Sequence, residues 1–175
     1  GGNAVIVKPS GLASCSTVVF ADMVGDLLPR GVLNVITGFG YEAGVSLVEN
    51  EYVRKITFTG SEFGGASVAA TAAKHVKPTT LELGGKSPQI VFEDADIENT
   101  LNGILSGIFL SNGQSCVAGS RLIIHRTIHD SFVEKLKRRL SSLKIGDPHD
   151  ETANIGPIAN KAQLDKIVSM VNQAR

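Results

Sequence analysis

The chain has 175 residues, 42% of them hydrophobic and 19% charged, with Lys plus Arg and Asp plus Glu both at 17. That length fits one sizeable domain or parts of two, and the composition excludes a disordered or fibrous chain. Balanced charge gives no overall field for nucleic acid or an anionic membrane, and the apolar runs are too short and too often broken by glycine for a transmembrane helix.

Residues 4–7 read as a short buried strand. Lys8-Pro9-Ser10 ends it, because proline cannot continue a ladder and keeps the residue before it extended. Over 17–28 the spacing of Val18, Val19, Ala21, Met23, Val24, Leu27 and Leu28 predicts a helix with one broad apolar face. A second strand follows over 32–36, and Gly38-Phe39-Gly40 turns into a helix over about 41–48. A third strand, 55–58, leads through Thr59-Gly60-Ser61 into an alanine-rich helix over 62–75. Pro78 then precedes a strand over 79–83. Strands alternating with helices through short connections predict an α/β unit on a largely parallel sheet covered on both faces.

Gly84-Gly85-Lys86-Ser87-Pro88 marks a boundary that divides the chain into 1–84 and 85–175. Beyond it come a strand over 89–92, a helix over about 96–109, a polar loop over 111–115 and a strand over 121–125. An amphipathic helix over 131–143 places Phe132, Leu136, Leu140 and Leu143 at helical spacing, and a last helix starts near Asn160. The basic side chains Lys135, Lys137, Arg138 and Arg139 read as a solvated face.

Cys15 and Cys116 lie far apart and look unlike a secreted disulfide framework, so a reducing, cytoplasmic compartment is expected. Neither CxxC nor HExxH is present, and no metal is expected. The start has neither methionine nor signal peptide and the end falls within a helical pattern, which leads us to expect an excerpt of a longer chain.

Gly38, Gly40 and Gly44 form GxGxxxG, following a strand and opening a helix. They are either a phosphate cradle of backbone amides or a tight turn that only glycine permits. Thr59-Gly60-Ser61 has the same two readings, Ser61 being equally a helix cap. Both turns open at carboxyl ends of parallel strands, where ligands of such sheets collect, so together they point to a nucleotide. Lys8 at the end of the first strand can reach that rim and contact ribose or phosphate, or is simply solvated. Glu82, between Leu81 and Leu83, is an exposed strand-end carboxylate or, if partly buried, a general base. Cys116 lies among small and polar residues, Asn112 to Ser120. It is an accessible nucleophile with backbone amides beside it, or a structural cysteine. Cys15, ahead of a helix, reads as a semi-buried small residue.

Four segments in order carry a resemblance: Val7-Lys8-Pro9-Ser10, Phe58-Thr59-Gly60-Ser61, Leu81-Glu82-Leu83-Gly84-Gly85-Lys86-Ser87-Pro88, and Gly113-Gln114-Ser115-Cys116 with Ala118-Gly119-Ser120-Arg121. Through them the whole chain resembles the central part of the aldehyde dehydrogenase superfamily. The resemblance implies a Rossmann-like parallel coenzyme-binding sheet over 1–84 continuing into an α/β catalytic domain over 85–175, both incomplete. It implies Cys116 as nucleophile, Glu82 as general base, and NAD or NADP held by Lys8, Ser10, Gly40, Gly44, Phe58, Thr59, Gly60, Ser61, Leu83 and Gly84. An aldehyde would be oxidised to a carboxylic acid through a thiohemiacetal and a thioester. The full-length protein would be a homodimer or homotetramer with no nucleic acid or membrane partner. Many NAD-using members have a glutamate where Gly11 stands, so NADP gains weight. The family's oxyanion asparagine and its ribose-anchoring glutamate lie outside these residues, and the 175 residues alone are expected to give no turnover. A CoA-acylating member, or one without catalysis, is the alternative.

Overall fold

A computed structural model of the chain describes residues 2–175, so that Gly1 lies outside the described residues. The chain divides into two compact units, Gly1–Leu83 and Gly84–Arg175. The first contains β1 (Val5–Val7), α1 (Ser14–Val24), β2 (Leu33–Val35), α2 (Val45–Glu49), β3 (Ile56–Thr59), α3 (Glu62–Lys74) and β4 (Thr79–Glu82). β1 pairs parallel with β2, Val5 opposite Leu33, and β3 pairs parallel with β4, Ile56 opposite Thr79 and Thr59 opposite Glu82. Each pair is closed by its own crossover helix, as parallel strands require. The strands were expected in one sheet; they form separate two-stranded pairs. A crossover dictates which two strands it joins, whereas nothing in a run of Val and Ile says which edge a second pair must meet.

α1 also departs from expectation. It starts at Ser14 and gives way at Val24 to a 3-10 turn over Gly25–Leu27. Gly25 weakens the helix there, and Leu28, held by the following Pro29, is extended (φ −122°, ψ 147°). No residue of α1 is buried, and Val18, Val19, Phe20 and Met23 are exposed. Consecutive apolar residues at 18–20 surround the helix instead of lining one face, so the expected single apolar stripe does not form. β1 is not the buried strand expected either, since Val5 and Ile6 are both exposed.

α3 is the better anchored helix. Ser61 caps it, its Oγ accepting from the Gly64 N–H at 3.1 Å, and Ala72 is wholly buried. At its end the Val76 N–H donates to the Ala73 carbonyl (3.1 Å) and the Lys77 N–H to the Ala72 carbonyl (3.0 Å). This double closure puts a left-handed residue after the helix, a place that favours glycine, yet Val76 occupies it with φ 53° and an exposed side chain. Val76→Gly is therefore expected to raise stability by about 1 kcal/mol, read as a higher denaturant midpoint. Next to it the Lys77 ammonium donates to the Val48 and Asn50 carbonyls, both at 2.6 Å, supplying positive charge to the C-terminal end of α2.

The second unit contains β5 (Pro88–Val91), α4 (Ile97–Phe109), β6 (Arg121–Ile124), α5 (His129–Ser141) and α6 (Lys161–Gln173). β5 pairs parallel with β6. Asp96 and Asn160 cap α4 and α6, each accepting an N–H three residues on, at 2.8 and 2.9 Å. Val91, Leu101, Ile104 and Phe132 form the buried core, with Ile97, Leu122, Ile124, Ile128 and Leu136 packed around them. Leu101 and Ile104 lie one turn apart on α4, and Ile128, Phe132 and Leu136 follow the four-residue spacing along α5. That stripe ends at Leu136, since Leu140 is exposed. Phe132 has no exposed surface. Phe132→Ala is expected to cost about 3–5 kcal/mol, a large part of a small unit's stability, and to appear as a lost or strongly lowered unfolding transition.

Candidate functional site

The carboxyl ends of β1 and β2 bring three of the expected residues together. The Lys8 Nζ donates to the Pro9 carbonyl at 2.7 Å and to the Gly38 carbonyl at 3.3 Å, so the side chain is folded over the start of the glycine turn. A Cβ added at Gly44 would lie 3.8 Å from the Lys8 stem, so Gly44 flanks the same lysine. Gly38 is the glycine this turn requires: its φ is 142°, and a Cβ there would meet the Ala43 Cβ at 2.9 Å. Gly40 has an ordinary φ and open space beside it. The helical segment begins with a π turn over Gly40–Gly44, the Gly44 N–H reaching the Phe39 carbonyl at 3.4 Å, before α2. Ser10 Oγ accepts from the Leu12 N–H at 3.3 Å within its own turn. The sequence reading passed over Phe39 and Tyr41, which flank Gly40 with their rings stacked at 5.4 Å and both exposed on this rim. The signal was two aromatics either side of a turn glycine.

At the ends of β3 and β4, Thr59 stands opposite Glu82, and the Glu82 carbonyl accepts from the Gly60 N–H at 3.1 Å. The Phe58 ring lies over Gly60 and Gly64: a Cβ at either would come within 2.7 and 2.9 Å of it. Leu83 packs on Gly65 in the same way, with a Cβ at Gly65 coming within 2.6 Å of it. Ser61 caps α3, one of the two roles its place in the turn allows. Leu81 and Leu83 are half-buried while Glu82 between them is exposed, as strand alternation requires. The partly buried carboxylate weighed from sequence is not found.

In the second unit Cys116 is exposed and in no disulfide, on a turn over 115–118 closed by the Ala118 N–H to the Ser115 carbonyl at 3.2 Å. Cys15 is also free, and exposed instead of semi-buried. The Val117 N–H donates to Ser115 Oγ at 3.4 Å, and the Cys116 N–H has no acceptor among the described residues. Ala118 is buried and Val117 exposed, so the turn is rooted at one end and open at its tip. Gly85 passes so close that a Cβ on it would lie 3.3 Å from the Cys116 carbonyl, whereas Gly84 has open space. Arg121 holds that passing segment, its Nε donating to the Lys86 carbonyl at 2.7 Å.

The segment before the turn is conformationally unusual. Ser111 (φ 54°, ψ 36°) and Asn112 (φ 58°, ψ 32°) are left-handed, and Gly113 follows with φ 73°. Two consecutive non-glycine residues in that region cost about 1–3 kcal/mol each and persist only where their surroundings hold them. The loop expected over 111–115 is thus a strained 3-10 turn over Leu110–Gly113 running into the cysteine turn. Among the described residues no group of three or more His, Cys, Asp or Glu is placed to hold a metal ion, and no helix is long and apolar enough to cross a membrane.

Parallel β-helix-β units with glycine turns at their carboxyl ends, followed by a cysteine turn, define an α/β protein of Rossmann-like type. The aldehyde dehydrogenase family model matches residues 1–175. The chain is 46% identical to peroxisomal aminoaldehyde dehydrogenase 1 of Pisum sativum over 175 residues, 99% of this chain and 35% of that protein. Among solved structures it is similar to the NAD-dependent aldehyde dehydrogenase of Sinorhizobium meliloti, with TM-score 0.93 and 39% identity over 97% of this chain and 34% of that one. It is also similar to an NADP dependent enzyme of E. coli, with TM-score 0.90 and 36% identity over 95% of this chain and 35% of that one. The chain belongs to the aldehyde dehydrogenase family. It spans about a third of the length of the relatives it matches.

Proposed function

We propose that this chain supplies the nucleophile, the general base and part of the coenzyme rim of an NAD(P)-dependent aldehyde dehydrogenase. The unit Gly1–Leu83 is then the coenzyme-binding part and Gly84–Arg175 the catalytic part. The observation that carries this is the exposed Cys116 at the tip of a turn whose own N–H is left free to donate. A thiolate there can attack a carbonyl carbon, forming a C–S bond, while the Cys116 N–H donates to the oxyanion that appears on the former carbonyl oxygen. Nicotinamide, when bound, supplies the acceptor for the hydride lost from that carbon, and Cys116 is left as a thioester. Glu82, assigned as base through the family resemblance of its segment and not through burial, then takes a proton from water, the resulting hydroxide attacks the thioester, and the C–S bond breaks to release a carboxylic acid and the thiolate.

A dinucleotide is the ligand this rim would take. Lys8 puts an ammonium beside Gly38 and Gly44, and the backbone at Gly40 is open to approach. Lys8 and Ser10 would hold the adenosine ribose, with Gly40 and Gly44 beside the phosphates. Phe58, Thr59, Gly60, Ser61, Leu83 and Gly84 would line the nicotinamide side. The full-length assembly is a homodimer or homotetramer in line with the family resemblance, and a reducing, cytoplasmic setting is the expectation from only two, widely separated cysteines in the sequence.

The reading is tested on the full natural chain by following NAD(P)H with a panel of aldehydes. The panel begins with aminoaldehydes because the pea relative is named for them. Aldehyde-dependent reduction supports it, and no reduction of either cofactor with any aldehyde overturns it. Cofactor choice has its own variant. Gly11 has open space around it, so Gly11→Glu introduces a carboxylate without a clash. Its charge would face a 2′-phosphate, and kcat/KM with NADP is expected to fall about tenfold or more while that with NAD holds or rises.

A further inference from the structure

A turn as short as 115–118 can rock about its two shoulders unless each is fastened. Both are, and each by a glutamine. On the N-terminal side Gln114 Oε1 accepts from the Ala159 N–H at 2.9 Å. Two residues earlier Asn112 grips the same stretch of chain: its Oδ1 accepts from the Gly156 N–H at 2.9 Å and its Nδ2 donates to the Pro157 carbonyl at 3.4 Å. The stretch so gripped is itself braced. The Lys144 N–H donates to Asn154 Oδ1, the Asn154 and Ile155 N–H groups donate to the Lys144 carbonyl, and the Gly146 N–H donates to the Ile155 carbonyl. The Lys144 ammonium also bonds Asp150 at 2.8 Å, and together with Thr152 holds that carboxyl below the usual range.

On the C-terminal side the Gly119 carbonyl accepts from Gln89 Nε2 at 2.7 Å, while the Gly119 N–H donates to the Gly107 carbonyl on α4 at 2.9 Å. Two glycines make room for the Gln89 amide. A Cβ at 119 would come within 2.4 Å of its Nε2, and one at 107 within 3.0 Å of its Oε1.

We propose that Gln89 and Gln114 are positioning residues for the nucleophile, fixing the two shoulders of the 115–118 turn so that the Cys116 sulfur is held at one point of attack. This rests on the reading of Cys116 as the nucleophile. The two amides work with opposite polarity, which separates their role from mere bulk. Gln114 acts through its oxygen, so glutamate keeps the bond; Gln89 acts through its nitrogen, which neither methionine nor an ionised glutamate replaces.

The test uses the full natural chain with Gln89→Met, Gln114→Met and Gln114→Glu, and Cys116→Ser as the blank. Two rates are read for each: the first-turnover burst of NAD(P)H with saturating aldehyde, and alkylation of Cys116 by iodoacetamide. The alkylation rate is taken at its high-pH plateau, where a new carboxylate no longer alters the thiolate fraction. The burst should slow about tenfold or more in both methionine variants and stay within about threefold of wild type in Gln114→Glu, because hydride loss needs one orientation of the sulfur. Alkylation should stay within about threefold throughout, since a small electrophile meets the thiolate from any side. Should Gln89→Met fail to fold, Gln89→Glu assayed with its carboxyl ionised carries the same expectation. Methionine variants that burst at the wild-type rate, burst and alkylation falling by one factor, or Gln114→Glu as slow as Gln114→Met would each overturn the proposal. A burst that survives in Cys116→Ser instead removes the nucleophile assignment itself, a result none of the glutamine variants can mimic.

Discussion

Cys116→Ala in the full natural chain should abolish aldehyde-dependent NAD(P)H formation, a loss on the order of 10⁴-fold or more, with the unfolding midpoint unchanged. The two halves of that expectation have separate causes. In the proposed mechanism all of the covalent chemistry passes through the Cys116 sulfur; beside it, the Ser115 Oγ accepts from the Val117 N–H, and Val117 carries no nucleophile. The fold, by contrast, hardly uses the thiol, because Cys116 is exposed and its neighbours are held through backbone groups and amide side chains. Steady-state assay together with thermal melting checks both. An alanine variant that still reduces the cofactor at a measurable fraction of the wild-type rate would sink the nucleophile assignment, whereas a collapsed midpoint would show that the cysteine is structural.

Glu82→Gln should divide the reaction differently. The burst of NAD(P)H, which needs only the thiolate and the coenzyme, is expected to remain within a few-fold, while steady-state turnover falls by about 10²–10⁴ because the thioester waits for unassisted water. The exposed position of Glu82 at the end of β4 means that an isosteric amide leaves the strand pairing with Thr59 intact. A nucleophile that needs no base makes the decisive addition. Hydroxylamine should restore turnover to Glu82→Gln by removing the acyl group, which stopped-flow and steady-state measurements read directly. If burst and turnover fall by the same factor, Glu82 acts before the thioester and the proposed role is wrong. If wild-type turnover is instead limited until CoA is added, the acyl group leaves by thiolysis and the CoA-acylating alternative holds.

How much of this was legible in the sequence depended on the range of the interaction involved. The helix over 62–75 came out within a residue of α3, Glu62–Lys74, because its cap Ser61 and its small residues act within a turn or two of themselves. The same locality explains β3 and β4, each a short run with two β-branched threonines between turn residues. α1 was misjudged in face and in limits, since burial of Val18, Val19 and Phe20 depends on what lies across from them, and periodicity carries no such information. The left-handed Ser111 and Asn112 were likewise invisible. Neither residue type demands that conformation; contacts of Asn112 with residues about 45 positions away accompany it.

Taken alone, the sequence determined the α/β class, the order of strands and helices, the residue types able to do the chemistry and, through four ordered motifs, the aldehyde dehydrogenase family. Those are matters of local propensity and of side-chain chemistry, which a linear string records in full. Only the tertiary structure decided that the parallel strands come as separate pairs, that Lys8 folds over Gly38, and that Glu82 is exposed. It alone decided too that Gln89 reaches Gly119 at one end of the cysteine turn, 30 residues away, and that Gln114 at the other end is held by Ala159, 45 residues away. Hydrogen bonds act over about 3 Å in space without regard to distance along the chain, so partners that far apart in sequence are chosen by folding.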